Sequence, residues 1–518
     1  MMELNTVAVL QRAATFEIED STSGAYYSLR PYSIALNGEE YGAGDTNVFC
    51  LFGLQPAMFY EVEITMQGFA PLRQSFITPA ETLLLNAAAF GTGSTGCTAA
   101  LQAAIAACPA GGTVYVPAGV YLTGPLFLHS DMLLYLEQGA VLRGAVNRGE
   151  YPILPGMVRS EETGAEKSFA SWEGNPLNSY AALLTAIEAN NIAVAGPGTI
   201  DGNAQNGLWW QQPKIKQGAW RPRTIFAVRC TGVTLLGVTV KNSASWTVHP
   251  YYSKQVNVLG VTIQNPPDSP NTDGCNPESC EDVNVIGTSI SVGDDCISVK
   301  SGKYYMAMHH PMPSRNILVR NCRLQRGHGA VVVGSEIASG VYGLRVQRCL
   351  MQNTERGLRI KTRRGRGETS VVDNIEFADI VMQNVQMPFV VNMFYFCDPD
   401  GHSHYVGCKQ PLPPDELTPA VKGLYCHDIE CTGSQFAGAF FYGLPESPIQ
   451  SIVLENISVS FDAAAKAGVP DMMDDVQPVK KLALFACNVQ KLLLQNVRFE
   501  GNEGESFQLE NVETFINQ

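Results

Sequence analysis

No run of eighteen consecutive apolar residues occurs in the 518-residue chain, which argues against a transmembrane helix. Basic residues are few. Lys plus Arg number 35 against 49 Asp plus Glu, and the net charge of −14 leaves no basic surface for general nucleic-acid binding. The same imbalance repels polyanions, so a site for one has to be locally basic. Charged residues make up only 16% of the chain and apolar ones 45%, a folded composition without bulk disorder. The opening Met1-Met-Glu-Leu-Asn-Thr has neither the basic nor the apolar region of a signal peptide. A cytoplasmic location is the expectation, or a secreted or periplasmic one if a leader has been removed. The fourteen cysteines include no Cys-x-x-Cys, and the close pairs Cys275/Cys280 and Cys426/Cys431 have no matching histidine pair. Neither a zinc site nor a disulfide scaffold is expected. Cys230, Cys280, Cys322 and Cys349 border apolar runs and read as buried thiols.

Length alone suggests two to four domains, unless the chain is a solenoid that grows by adding coils. Residues 1–80 read as a small β-domain. Tyr26-Tyr-Ser-Leu-Arg, Val48-Phe-Cys-Leu-Phe and Tyr60-Glu-Val-Glu-Ile-Thr have strand period, with turn residues between them. The run from Leu54 to Ile64 resembles a core strand of a fibronectin type III sandwich, and a role as spacer or cap is favoured over carbohydrate binding. An amphipathic helix follows from Cys97 to Cys108, with Leu101 and Ile105 on one face and Gly111-Gly112 beyond it; it suits a cap on an open sheet stack.

From about residue 190 one unit recurs: a polar residue or glycine, then an apolar-x-apolar strand, then another short strand. The first apolar positions are Ile192, Val233, Val256, Val283, Ile317, Leu344, Ile375, Leu424, Ile452 and Leu492, advancing by 41, 23, 27, 34, 27, 31, 49, 28 and 40 residues. Short strands at irregular periods of twenty to fifty residues, without helices, mean a β-solenoid with loops of variable length. The expected architecture is all-β: a parallel β-helix over residues 81–518 behind the small sandwich.

In such a stack, residues one coil apart lie ~4.8 Å from one another. Asn271-Thr-Asp273-Gly is followed 21 residues later by Gly293-Asp294-Asp295-Cys, then by Gly327-His328-Gly329 and Arg359-Ile-Lys361. These stand about one, two and three coils on from Asp273, at similar phase, so they are expected to line one groove. Singly each has a bland reading. Asp before Gly is usually a turn, paired aspartates a solvated loop, and a lone histidine a surface residue. Three carboxylates on neighbouring coils repel one another, and such crowding raises at least one pKa. A proton-bearing acid beside an ionised base is what glycoside hydrolysis uses. Arg359 and Lys361 flank Ile360, so both point to one face, either to ion-pair with the aspartates or to grip a substrate carboxylate. The residues alone leave open which aspartate is the acid.

Asn-Thr-Asp, Gly-Asp-Asp, Gly-His-Gly and Arg-Ile-Lys, in this order, resemble the polygalacturonase family (glycoside hydrolase family 28). The resemblance runs from about Asn86 to the C-terminus. It includes Gly111-Gly-Thr-Val-Tyr-Val-Pro-Ala-Gly-Val-Tyr, Gly196-Pro-Gly-Thr-Ile-Asp-Gly and Trp246-Thr-Val-His249-Pro. It implies a right-handed β-helix, a galacturonan or oligogalacturonide substrate, inversion at the anomeric carbon, and neither metal nor other cofactor. Asp294 would be the general acid, Asp273 and Asp295 would handle the attacking water, and His328 would support the acid's protonation. Arg359 and Lys361, with Asn271, Lys300, Trp246 and His249, would contact substrate. Inverting enzymes separate acid and base by ~6.5–9.5 Å, so the side chains are expected to splay beyond one-coil stacking. Intact Asp294-Asp295 and Arg359-Lys361 favour galacturonate on both sides of the cut over rhamnogalacturonan.

Two other classes compete. A β-helical pectate lyase wants a Ca²⁺ cage and an Arg or Lys base, and the aspartate trio is the feature that suits it; Gly-His-Gly and Arg-Ile-Lys suit the hydrolase. A non-catalytic β-helix gives no reason for all four signatures. Long insertions, Ser301 through Pro313, Thr362 through Glu368 and Asn392 through Pro414, follow coils bearing the candidate residues. Gly293-Asp-Asp-Cys-Ile-Ser-Val-Lys300-Ser-Gly and Gly334-Ser-Glu-Ile also resemble the bacterial exo-acting branch. Exo-cleavage from the non-reducing end is therefore expected.

Overall fold

The computed structural model describes residues 2–20, 24–91 and 96–518. Every apolar position of the repeat falls on one continuous parallel register. Ile192 pairs with Val233, Val233 with Val256, Val256 with Val283 and Val283 with Ile317. The series continues through Leu344, Ile375, Leu424 and Ile452 to Leu492. The side chains alternate in and out with the strand period of two, so Val256/Val258 and Val283/Val285 enter the core while Asn257 and Asn284 stack outside and hydrogen-bond at 3.0 Å.

The polar residue or glycine before each strand has a backbone cause. Asn191, Gly232, Gln255, Asp282, Asn316, Gly343 and Asn374 all have φ between 52° and 73°, a left-handed corner that favours Gly, Asn and Asp. Their amides also join coils, as Asn316 Nδ2 donates to Asp282 Oδ1 at 3.1 Å.

The open end of the stack is covered by the helix Thr98–Ala107, which buries Leu101, Ala104 and Ile105 against the first coil. Cys97 and Cys108 lie at its two ends as cap residues. Residues 3–77 form two antiparallel sheets. One holds Glu3–Val9, Ala13–Glu19 and Val48–Phe52, and the other holds Tyr27–Leu36, Glu39–Thr46, Phe59–Met66 and Leu72–Ile77. They enclose their own core around Phe16, Leu51, Val62 and Ile64. This unit lies along the flank of the coils. Ala13 and Val48 pack on Leu133, Tyr135, Leu236, Leu259 and Ile286, and Glu17 accepts hydrogen bonds of 2.6 Å from both Arg320 and Asn321. Among the described residues no disulfide joins the cysteines, and Cys230, Cys280, Cys322 and Cys349 are buried. Among the described residues no helix is long and apolar enough to cross a membrane.

Candidate active site

One strand register positions the chemistry. Val248, Cys275, Ile297, Val331, Leu358 and Phe389 stack in sequence on one sheet of the helix. Counting back from them, Asp273 stands two residues before Cys275, and Asp295 two before Ile297, so these two aspartates stack on adjacent coils. Asp294 and His328 each stand three residues before their register partner and stack likewise. Counting forward, Lys300 and Lys361 share one register position, with Gly334 between them.

The glycines of the signatures are set by close packing. A Cβ on Gly293 would lie 2.5 Å from the Ser269 carbonyl oxygen, and one on Gly327 2.7 Å from that of Asp294. Any side chain there would push the acidic turn off its coil.

Asp273, Asp294 and Asp295 bring carboxylate oxygens within 4.8 Å of one another. One oxygen of each stays this close although each carboxylate is held from a different side. Asp273 Oδ2 accepts from Asn276 Nδ2 at 2.7 Å, and Asp295 Oδ2 from Lys361 Nζ at 2.9 Å. Asp294 faces His328 Nδ1 at 3.3 Å and Asn271 Nδ2 at 3.5 Å. Buried Arg221 donates to Asn271 Oδ1 at 2.7 Å, which leaves the Asn271 amide nitrogen to face Asp294. Asp295 Oδ1 makes no hydrogen bond within the protein.

Crowding does raise a carboxyl, and it is Asp273. Burial, and then the Asp294 charge, lifts it well above the ordinary carboxylate range. Burial also pushes Asp294 up, but the hydrogen bond and charge of His328, backed by Lys361 and Lys300, outweigh it and bring Asp294 down to about 2. His328 is raised to about 9, chiefly by its hydrogen bond to Asp294. At neutral pH the pair is thus an imidazolium beside a carboxylate, with its one transferable proton on the ring.

These residues line a single cavity of about 280 Å³ together with Asn271, Lys300, Trp246, Arg359 and Lys361. His249 does not line it. It is buried behind Trp246, where Arg223 Nε donates to its Nδ1 at 3.2 Å. A guanidinium has no acceptor, so the imidazole proton is on Nε2 and is donated to Glu278 at 2.9 Å. The expectation of substrate contact by His249 is therefore corrected: it holds Trp246 from behind. Arg359 is also less free than expected. Its guanidinium is engaged by buried Asp471 through Nε and Nη2, and its Nη1 lies 3.8 Å from Asp295.

The rest of the cavity is loop-borne, and sequence reading missed most of it: Trp172, Glu173, Lys214, Ser335, Glu336, Cys397, Asp398 and Met472. Three of the long insertions are joined at Asp398. Lys303 lies 2.7 Å from it, Arg366 2.7 Å and Arg363 3.5 Å. Lys300 pairs with Glu336 at 2.8 Å, and Lys214 with Glu173 at 3.0 Å. Tyr395 lines the cavity, whereas Trp209 is buried against Tyr151 and Tyr180 away from it.

The model of glycosyl hydrolases family 28 matches residues 161–405, a span that contains all four signatures. A probable polygalacturonase of Vitis vinifera is 31% identical over 377 residues, 71% of each chain. An endo-polygalacturonase of Pectobacterium carotovorum subsp. carotovorum is 30% identical over 316 residues, 58% of this chain and 72% of the other. The solved family 28 exopolygalacturonase of Yersinia enterocolitica superposes over 99% of this chain and 98% of its own with a TM-score of 0.73, at 19% identity, and shares the right-handed β-helical fold. The family match and the identity to the Vitis protein carry more than a common scaffold: the chain is a glycoside hydrolase and belongs to glycosyl hydrolases family 28.

Proposed function

We propose that this enzyme hydrolyses α-1,4-galacturonosidic bonds of galacturonan, removing units from the non-reducing end of oligogalacturonides with inversion. One observation carries the exo reading. The insertions at 301–313, 362–368 and 392–414 meet in the ion pairs around Asp398, while Asp471 ties the 462–481 segment to Arg359. A groove walled in this way accepts a chain end more readily than a chain interior. Similar proteins include both endo- and exo-acting enzymes, so the reading rests on the wall. Reducing-end release from polygalacturonate measured against viscosity tests it. A rapid fall in viscosity at low bond cleavage would mean endo-action.

In this mechanism Asp294 relays the His328 proton to the glycosidic oxygen, and incoming substrate favours the relay by excluding water from the pair. Asp295 Oδ1, an acceptor unused by the protein, and Asp273 hold the attacking water. Lys361 and Lys300, both facing the cavity, supply local positive charge for uronate carboxylates. Inversion follows from the family resemblance. Proton NMR of the first-formed anomer decides: a β-anomer from the α-linked substrate supports inversion, and an α-anomer overturns it.

The raised Asp273 favours a second reading in which Asp273 is the acid and Asp294 the base. An aryl galacturonide with a good leaving group needs no protonation and rescues only the acid variant. Rescue of Asp294→Asn supports the first assignment, and rescue of Asp273→Asn the second.

A further inference from the structure

Asp398 lines the cavity, and its side chain is 12% exposed. Three cations from two other insertions converge on it: Lys303, Arg363 and Arg366. Such a setting keeps a carboxylate ionised and fixed, hence acceptor-only. A carboxylate accepts and does not donate, so its partners on the substrate must be hydroxyl donors. Asp398 Oδ2 is buried beside Arg366 and Arg363, which leaves Oδ1, the oxygen paired with Lys303, to face a substrate hydroxyl. An interior unit has O4 in a glycosidic bond and only the terminal unit has it as a free donor.

We propose that Asp398 reads the non-reducing end of the substrate by accepting a hydrogen bond from the O4 hydroxyl of its terminal galacturonate. This rests on the exo reading and assigns its discriminating residue. It follows that the enzyme also distinguishes saturated ends from ends whose terminal ring is 4,5-unsaturated, because the latter lack the O4 hydroxyl. Losing a hydrogen bond to a charged acceptor corresponds to roughly 10- to 100-fold.

The test compares saturated trigalacturonate with the same trimer bearing a 4,5-unsaturated non-reducing end. Wild-type enzyme is expected to favour the saturated trimer in kcat/KM by roughly 10- to 100-fold. Asp398→Asn should lose about that factor on the saturated trimer and little on the unsaturated one, collapsing the preference. Equal loss on both trimers would show a purely structural Asp398 and overturn the proposal. Absence of any wild-type preference would overturn it too, and that measurement needs no variant to fold. Pentagalacturonate labelled at its reducing end separates the two readings. Interior cleavage sinks exo-action itself, whereas terminal release without a saturated-end preference sinks only the role of Asp398.

Discussion

The floor and the wall of the cavity differ in how the chain specifies them. The floor, Asp273, Asp294, Asp295, His328 and Lys361, is carried by consecutive coils whose register is fixed by buried residues such as Ile297, Val331 and Leu358. The wall, Trp172, Glu173, Asp398 and Met472, comes from excursions between strands; ion pairs hold Glu173 and Asp398, and Trp172 stacks on Trp220. Packing in the core sets the position of the first group, and charge with ring stacking that of the second. Chemistry placed by packing tolerates no slip, because a one-residue shift turns a strand inside out. Specificity placed by loops varies without disturbing the coils.

The largest effects should come from the floor. Asp294→Asn keeps the shape and removes the relay, and kcat is expected to fall by ~10²–10⁴ with folding and oligogalacturonide binding retained. A purified variant keeping more than a tenth of the wild-type rate would break the assignment. Next in size is a prediction that sharpens the boundary between floor and wall. Arg359→Ala strands buried Asp471 without its partner, at a cost of ~3–5 kcal/mol. Its signature should be a lower Tm and faster proteolysis within 462–481, whereas Lys361→Ala should mainly raise KM. An Arg359→Ala variant of unchanged Tm and raised KM would restore it as a substrate clamp.

The pH dependence is gentler. The pKa of His328 is raised in the fold, so the stability gained from its charge is complete below the unfolded value and is lost as pH rises through about 9. That of Asp294 is depressed, so its contribution is present above the unfolded value and is lost as pH falls through about 2. Activity requires the shared proton, and an alkaline limb near 9 is expected. His328→Asn should move that limb to lower pH, because Asp294 then holds the proton alone; a limb that stays in place would remove His328 from the relay. The smallest effect concerns metal. The trio is close enough to chelate a cation, but Lys361 and His328 already neutralise part of it. Dialysis against a chelator should leave the rate unchanged, and a loss restored by Ca²⁺ would favour the lyase reading.

The same division explains what was legible in the sequence. The apolar repeat from Ile192 to Leu492 could be read because inward positions recur at every coil, and it matches the observed pairing residue for residue. The four signatures could be read as one groove because coil spacing converts sequence phase into proximity. Nothing local marks Asp471 as the partner of Arg359 112 residues earlier, or Asp398 as the meeting point of three cations. Such pairs depend on where a loop folds back, which has no period. His249 misled for a related reason: Trp246 lines the cavity from the turn before the strand Val248–Tyr251, whereas His249 lies within that strand, buried against the edge of the Trp246 ring.

The sandwich that flanks the coils has a consequence for how the chain is made. The sandwich leaves the ribosome before the coils and closes its own core, but its apolar side containing Ala13 and Val48 has no partner at that moment. Its first contacts, Leu133 and Tyr135, emerge next, while Ile286 and the Arg320–Asn321 grip on Glu17 come only after several coils have been laid down. Docking thus proceeds coil by coil during synthesis. A nascent chain halted before residue 133 would carry a folded sandwich with its apolar side uncovered, the species most in need of a chaperone.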